Sequence, residues 1–546
     1  MLYISIVLVL GTTLVYYLLS KCKQGRNAHR VRLPPGPPRL PLIGNLHLFP
    51  RKCPHYQFTE WARQYGDILS LKVMHLDIIV LSSPSAVKEL IDKRSSSTSN
   101  RPTSIITEMI IPDGTNMGAA KCVNDTWLKM RKAANRMLSP ANSDKIKQIQ
   151  LAEASQLMLE MLRKPQDFYE DISRFTTSAS LCAIYGIRGP RSSTHEVKTF
   201  VQLQLDFMNV VEIGKSPPVD LFHFLRFFPE RLAPWKKRAL DVRRRHENLY
   251  VQLLQNVKDR LKSGSRNGAF MEDACTNLHE WGLTEAMLIN LGGTLLSGSD
   301  TTSAVLQNLV MIFVAYPDVL RKAQEEVDAV VGGNIRPPTW SDIQHMPYLR
   351  AVLEEVYRFR PVGPLGLPHA MSQDELVNDM ILPKNAILFM NLWGIFHDPR
   401  YFDDPEKFVP ERFIRHPLGV KPDIIDDPAR RPNLMFGGGK RICPGAHVAR
   451  SGIEINAANF VWAFHFTPAR DALTGALITP DVWATTQGVN ATPLPFKCTI
   501  EPRSKEKINI IEQFFRQQSF VREQYEYGIS SGDKEYLHQL CLPSKS

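Results

Sequence analysis

The chain has 546 residues, 43% of them hydrophobic and 22% charged, which provides for a large buried core and excludes a disordered protein. Its formal net charge of +11 suits an anionic membrane surface or an acidic protein partner. Nucleic acid is excluded as a partner on sequence grounds, because no zinc-finger, RNP or helix-turn-helix pattern is present.

The first element is Leu2 to Ser20, LYISIVLVLGTTLVYYLLS, an uncharged run long enough for about 28 Å of helix, close to the bilayer core. Lys21, Lys23, Arg26, Arg30 and Arg32 follow it and no basic residue precedes it, so the positive-inside rule places the rest in the cytosol. A cleaved signal peptide would need a basic leading region and a small-residue cleavage site, and has neither. Residues 1–20 are therefore read as a transmembrane anchor and residues 21–45 as a basic, Pro-rich linker. Pro34, Pro35, Pro37 and Pro38 lock that linker into extended or turn shapes, the behaviour of a stiff spacer.

Next come two short apolar runs, ILSLKVM and DIIVLSS, with strand character. From about residue 120 the pattern is helical. The strongest helix is predicted from the N-cap Thr284 to Ala315, where Tyr316-Pro317 ends it, a length of about 46 Å. Gly292, Gly293 and Gly298 in its middle each cost about 1 kcal/mol against Ala. Such a helix either packs closely against something flat or is locally distorted. Residues 399–413, PRYFDDPEKFVPERF, read as a meandering loop. No repeat and no second boundary is visible between residues 46 and 503, which are read as one catalytic domain. Residues 504–546 form an extension without an assigned role, an amphipathic helix (IIEQFFRQQSFVREQYEY) and then a polar tail. Gly437 to Gly439 lead into Lys440-Arg441-Ile442-Cys443 rather than a phosphate-binding helix, so the chain brings no electron-transfer domain of its own.

The eight cysteines are scattered and none forms a C-x-x-C pair, so zinc has little support and free thiols in a reducing compartment are the ordinary reading. Cys443 has a different setting. It lies in FGGGKRICPG, after a glycine-permitted turn and before a helical stretch, where a helix dipole and free amides favour a thiolate. Alone, that would still suit a structural thiol. Glu355 and Arg358 sit at i and i+3 and can pair on one helix face. Trp127 and Arg131 sit at i and i+4, so both can point the same way.

Together these motifs resemble the cytochrome P450 family. FGGGKRICPG matches every fixed position of its F-x-x-G-x-R-x-C-x-G loop. Glu355-Val-Tyr-Arg358 resembles its E-x-x-R, Pro410-Glu411-Arg412-Phe413 its P-E-R-F, and Trp127 with Arg131 its W-x-x-x-R. Ser297 to Thr302, SGSDTT, resembles its A/G-G-x-D/E-T-T/S, with Ser297 standing where the family has Ala or Gly. The resemblance spans about residues 33–503 and implies a mainly α fold with small β-sheets (α+β).

It also implies a heme b whose iron takes the Cys443 thiolate as its metal ligand, a donor that favours oxygen activation. By the same resemblance Phe436 shields the sulfur, Gly439 permits the bend, and Arg441, Trp127, Arg131 and His369 face the heme edge. Glu355, Arg358 and Arg412 form an ion-pair triad behind it. Asp300 and Thr301 relay protons to activated oxygen. The pocket draws on Ile105, Ile106, Met109, Ile110, Phe207, Met208, Leu291, Thr294, Leu295, Val362, Leu365, Leu367 and Val489.

The implied activity is a monooxygenase that uses O2. Electrons come from NADPH through a cytochrome P450 reductase, with cytochrome b5 as a second donor, at the endoplasmic reticulum membrane. Lys129, Lys132, Arg136, Lys440 and Arg450 offer a basic docking surface. The wording resembles fungal microsomal members, which points to a hydrophobic small molecule, a terpenoid or other secondary metabolite. A heme-thiolate isomerase or dehydratase and a non-catalytic heme protein are the rivals. The Asp300-Thr301 pair argues against the first, and the pair together with the triad against the second.

Overall fold

Met74, at a φ of 53°, turns the chain sharply and folds the two apolar runs beside it into a hairpin, β1 (Ile68–Val73) and β2 (Leu76–Leu81). The computed structural model describes residues 32–542 except 123, 213 and 425–428. The anchor read at residues 1–20 and the basic part of the linker lie outside the described residues. Among the described residues no single helix is long and apolar enough to cross a membrane.

Later segments complete the hairpin's sheet. They supply β3 (His369–Ala370) and β6 (Ile387–Met390), and between these β4 (Glu375–Val377) and β5 (Met380–Leu382) pair as a separate two-stranded sheet. The main sheet has the order β1-β2-β6-β3, with β2 and β6 parallel and the other pairs antiparallel. A third sheet gathers β7 (Phe464–Arg470), β8 (Leu477–Ile478) and β9 (Cys498–Pro502).

The Pro-rich stretch is not a free spacer. The Ser70 amide donates to the Pro35 carbonyl at 2.8 Å, and Asn45 bonds the Pro37 and Pro38 carbonyls and the Lys72 amide. A Cβ at Gly36 would lie 2.0 Å from the Ser70 carbonyl oxygen. Residues 34–45 are thus laid along β1, because prolines without amide hydrogens still offer carbonyls to an edge strand.

Among the described residues, the α-helices of six residues or more are α1 (Pro54–Tyr65), α2 (Ile105–Ile110), α3 (Asp125–Met137), α4 (Ser143–Arg163), α5 (Phe168–Tyr185), α6 (His195–Val211), α7 (Pro234–Lys262), α8 (Phe270–Thr276), α9 (Glu285–Leu296), α10 (Gly298–Ala315), α11 (Pro317–Val331), α12 (Pro347–Phe359), α13 (Ala446–Ala463), α14 (Lys505–Gln517) and α15 (Ser531–Cys541). The largest core cluster joins α4, α5, α10, α11, α12 and α13; a second joins α2, α3, α6, α7 and α9. The buried side chains of α10 number almost its whole length from Ser303 onward, so it runs through the middle of the protein.

The single helix expected from Thr284 to Ala315 is two, broken at Ser297. Thr284 caps the first, accepting from the Met287 amide, and Tyr316 ends the second. Both explanations offered for the glycines hold, at different positions. A Cβ at Gly292 would come within 2.3 Å of the Tyr185 hydroxyl, and one at Gly293 within 2.9 Å of the Tyr250 ring. A Cβ at Gly298 would meet nothing within 4 Å. At the break, Ser297 donates to the Thr294 carbonyl and Ser299 to the Leu296 carbonyl, both at 2.8 Å, and such back-bonding competes with the helical ladder.

The end of the chain departs from expectation. The helix expected over residues 510–527 is α14 only as far as Gln517, burying Ile511 and Phe515, and a separate short helix follows at Ser519–Glu523; the stretch read as a polar tail holds α15 and buries Asp533 and Leu540. Both helices lie against the body through ion pairs that a sequence pattern does not reveal, such as Arg163 with Glu512 and Arg191 with Asp533.

Candidate functional site

The loop before α13 is shaped by glycine. Gly439 has a φ of +54°, and a Cβ there would lie 2.2 Å from the Ile91 carbonyl oxygen, so only glycine fits. The Cys443 amide donates to the Phe436 carbonyl at 2.9 Å and closes the loop. The Phe436 ring lies under the Arg450 guanidinium, 5.6 Å from its centroid. Cys443 is solvent-accessible yet largely enclosed by protein, so its accessible surface faces an interior recess. Burial raises its thiol above the ordinary value, while the Gly445 amide and Arg131 act the other way. The helix-terminus effect read from sequence is present but smaller than the desolvation.

On one side of this loop lie three arginines whose hydrogen bonds go to carbonyls. Arg441 donates to the carbonyls of Ser99 at 2.9 Å, Met117 at 3.1 Å and Ala120, and lies 4.3 Å over the Trp127 ring. Trp127, on α3, donates to the Met117 carbonyl at 3.1 Å. Arg131, one turn on, donates to the Ile442 carbonyl at 2.5 Å, next to Cys443. Arg101 is buried and donates to the carbonyls of Gly118, Leu367 and Pro368. His369 is buried on β3 with Nδ1 2.9 Å from the Thr98 carbonyl. Burial, and then Arg101, lower its pKa to about 3. Among the described residues, no Asp or Glu pairs with these arginines; the titratable groups that act on them are one another and the thiols of Cys122 and Cys443. Burial lowers the pKa of all three, that of Arg101 to about 9. The motifs did not include Arg101. Its one sequence signal is an arginine before Pro102 in an otherwise hydroxyl-rich stretch, which is too little to single it out.

α10 packs against α13, the helix after Cys443. Its first turn behaves unlike the rest of it: Gly298 and Thr301 are accessible while Ser303 to Val314 are buried. The Thr301 hydroxyl donates to the Gly298 carbonyl at 3.1 Å, and Thr302 to the same carbonyl at 3.4 Å. Asp300 is held near Gln204 of α6, and burial raises its carboxyl to about 6.

Glu355, Arg358 and Arg412 form one buried assembly. Arg358 grips Glu355 with two bonds of 2.7 and 2.9 Å, and Arg412 adds a third at 3.0 Å. The remaining arginine donors reach the carbonyls of Phe396, Pro405, Lys407 and Asp403, and the Val409 amide donates to Glu355. The assembly therefore ties α12 to the meandering loop at residues 396–412.

The expected pocket residues fall in more than one cluster. Ile106, Ile110 and Leu291 are buried in the second core cluster, with Ile105, Met109, Phe207 and Leu295 half-buried against it. Thr294 donates to the Asn290 carbonyl. Leu365 packs on the β1–β2 side, and Leu367 is exposed. Val489 is half-buried in a loop held to Val362 by the Ala491 amide at 2.7 Å. On the proposed basic surface, Lys132, Arg136 and Lys440 are exposed, but Lys129 is paired with Asp125 at 2.6 Å and Arg450 with Glu354 at 2.7 Å.

Comparison with known proteins places these features in a family. Residues 34–481 match the family model described as cytochrome P450. A cytochrome P450 monooxygenase of Armillaria gallica is 39% identical over 484 residues, covering 88% of this chain and 92% of its own length. The monooxygenase acuD of Aspergillus aculeatus is 35% identical, covering 91% and 94%. Among solved structures, a zebra fish cytochrome P450 with progesterone gives a TM-score of 0.68 at 26% identity, covering 82% of this chain and 99% of that one.

Proposed function

Because this chain belongs to the cytochrome P450 family, it is a monooxygenase, and we propose that it binds heme b through the Cys443 thiolate and oxidises a hydrophobic small molecule. The observation that carries this reading is the set of Arg101, Arg131 and Arg441 gathered beside Cys443 without a carboxylate. Buried and half-buried cations are ordinarily paired with acids, and these have carbonyls, one another and the thiols of Cys122 and Cys443. A ligand bearing two carboxylates and an iron that takes a thiolate fits that donor set. Arg101, Arg131, Arg441, Trp127 and His369 would hold the carboxylates, and Cys443 the iron. When bound, the heme supplies oxygen activation, which a thiolate donor favours.

The protein's own part is positioning, water exclusion and proton supply. Thr301 presents its hydroxyl to interior space from a helix that is otherwise buried, and the Gly298 carbonyl orients it. Asp300, with its carboxyl raised to about 6, can hold and release a proton near neutral pH. This acid–alcohol pair favours oxygen chemistry over a heme-thiolate isomerase or dehydratase, which needs no proton relay. Glu355, Arg358 and Arg412 touch no substrate group and serve folding and heme retention. Ile106, Met109, Phe207, Thr294, Leu365 and Val489 make up a mainly apolar pocket. With the fungal relatives, that supports a terpenoid or similar secondary metabolite as substrate.

Electrons come from NADPH through a cytochrome P450 reductase, received at Lys132, Arg136 and Lys440, because Lys129 and Arg450 are engaged within the chain. The body faces an endoplasmic reticulum membrane. Support comes from apolar side chains left in water, with Leu42 85% exposed, Phe227 72% and Leu232 69%, beside Arg226, Arg231 and Lys236.

Microsomes carrying the protein, reduced and exposed to carbon monoxide, should show the red-shifted Soret band of a thiolate heme. Thr301→Ala should then lower the ratio of product to NADPH consumed by about tenfold, the effect of losing one positioned proton donor. Full coupling in that variant would remove Thr301 from the relay.

A further inference from the structure

Residues 88–93 form a π-helical turn, Lys88–Lys93, which no motif marks and the proposed reaction does not use. Such turns are rare and concentrate where a helix must present a backbone or side-chain group in an unusual direction. Here two groups of the turn meet the Cys443 loop. A Cβ at Gly439 would fall 2.2 Å from the Ile91 carbonyl oxygen, and one at Gly438 would fall 2.5 Å from Asp92 Oδ1. The loop backbone therefore rests directly on the turn at two successive glycines.

Asp92 makes the joint directional. Its Oδ1 accepts the Gly439 amide at 2.9 Å. Arg431 donates to Oδ2 through Nε at 3.2 Å and to Oδ1 through Nη2 at 3.3 Å, and the same Nη2 donates to the Gly437 carbonyl at 2.7 Å. One carboxylate and one guanidinium thus fix an amide and a carbonyl of the same loop, two residues apart.

We propose that Asp92 is a positioning residue for the thiolate: it sets the path of Gly437 to Cys443 by accepting the Gly439 amide. This rests on Cys443 being the iron ligand. The plain alternative is a surface ion pair with Arg431. Both side chains are 27% exposed, and a pair of that kind contributes about 0–1 kcal/mol. The amide bond separates the two readings, since a surface pair leaves the loop backbone unaffected.

The test compares three variants of the full-length protein. Asp92→Ala removes both contacts. Arg431→Ala removes the cation and its bond to the Gly437 carbonyl and leaves the Gly439 amide bond. Asp92→Asn in the Arg431→Ala background keeps an oxygen for the Gly439 amide without setting the new NH2 group against the guanidinium. Hydrogen exchange is read at residues 437–443, together with the fraction of heme giving the red-shifted carbon monoxide band. Asp92→Ala should speed exchange of the Gly439 amide about tenfold, the worth of one charge-assisted hydrogen bond. It should also convert much of the heme to the thiol-ligated form.

Arg431→Ala and the double variant should both stay within about threefold of the parent in exchange, a smaller change than the amide bond is worth. Parent-like exchange in Asp92→Ala, or exchange in the double variant as fast as in Asp92→Ala, would overturn the proposal. Absence of the thiolate band from the parent protein itself would instead sink the assignment of Cys443.

Discussion

Two of the charged clusters in the protein are balanced differently. Beside Cys443, Arg101, Arg131 and Arg441 face carbonyls and no acid. Where the C-terminal segment meets α4 and α5, acids and arginines interlock. Arg174 binds Glu153 and Glu160, the latter at 2.9 Å, and Arg188 binds Glu153 and Glu526, each at 2.6 Å. Tyr536 donates to Glu160 at 3.0 Å, and Arg522 to Ser155 at 3.0 Å. Glu153, Glu160, Asp171 and Glu526 face the three arginines Arg174, Arg188 and Arg522, and burial raises both Asp171, to about 8, and Glu160, so no excess negative charge stands near neutral pH. A cluster that balances itself belongs to the architecture. One that does not is where a ligand must bring the missing sign.

The comparison can be broken most forcefully by ending the chain at Arg503. That removes the Ile511, Phe515, Tyr525 and Leu540 side chains from the core and takes Glu526 and Tyr536 from their partners. Four such side chains contribute roughly 6–12 kcal/mol by burial, on the scale of a whole domain's stability. The shortened chain should therefore yield little soluble protein and no cooperative melt. A shortened protein that melts with the parent would make the C-terminal cluster dispensable and leave only one of the two clusters with a purpose.

A smaller effect sharpens the same contrast. Arg188→Leu strands Glu526, leaves Glu153 with Arg174 alone, and should cost about 3–5 kcal/mol. Arg101→Leu, at an equally buried site, strands only carbonyls and relieves repulsion from Arg441, so its cost should be about 1–2 kcal/mol. Urea unfolding of heme-stripped protein compares the two. With heme restored the order should reverse in one respect: Arg101→Leu should lose heme faster, and Arg188→Leu should not. Equal costs in the stripped protein would erase the distinction.

The two clusters also differ in how far the sequence revealed them. Cys443, Arg441, Trp127, Arg131, Glu355, Arg358 and Arg412 all lie in short motifs whose members are close in the chain, and the family resemblance those motifs carry pointed to them. Arg101 has no such neighbour; its partners are carbonyls of residues 118, 367 and 368, which only the folded chain brings to it. The C-terminal cluster was invisible for the same reason, since Arg188 and Glu526 lie 338 residues apart. The strand character at 68–81 followed from apolar alternation, and the α+β class from the family resemblance; the hairpin turn at Met74 was not read. The break at Ser297 did not follow from pattern, because helical periodicity continues through it and the distortion comes from side-chain hydroxyls competing for backbone carbonyls. The segment read as a polar tail was missed because α15 buries few apolar residues and is held instead by Arg191 and Asp533.

The least disruptive probe of the balanced cluster is a titration. Asp171 has a folded-state pKa raised to about 8, against about 3.9 for an unfolded aspartate, with burial first and Glu160 second among the causes. The folded state therefore holds a proton that the unfolded state has released, so the contribution to stability is full below about pH 4 and is lost as pH rises toward 8. Asp171→Asn imitates the protonated form at every pH. Its melting temperature should exceed the parent's by more at pH 8 than at pH 5, the gap widening by on the order of 1–3 °C, small because the chain is long. A variant that melts below the parent at pH 8 would mean that Asp171 is charged and paired there. The cluster would then carry an uncancelled negative charge, and internal balance would no longer separate it from the cationic site beside Cys443.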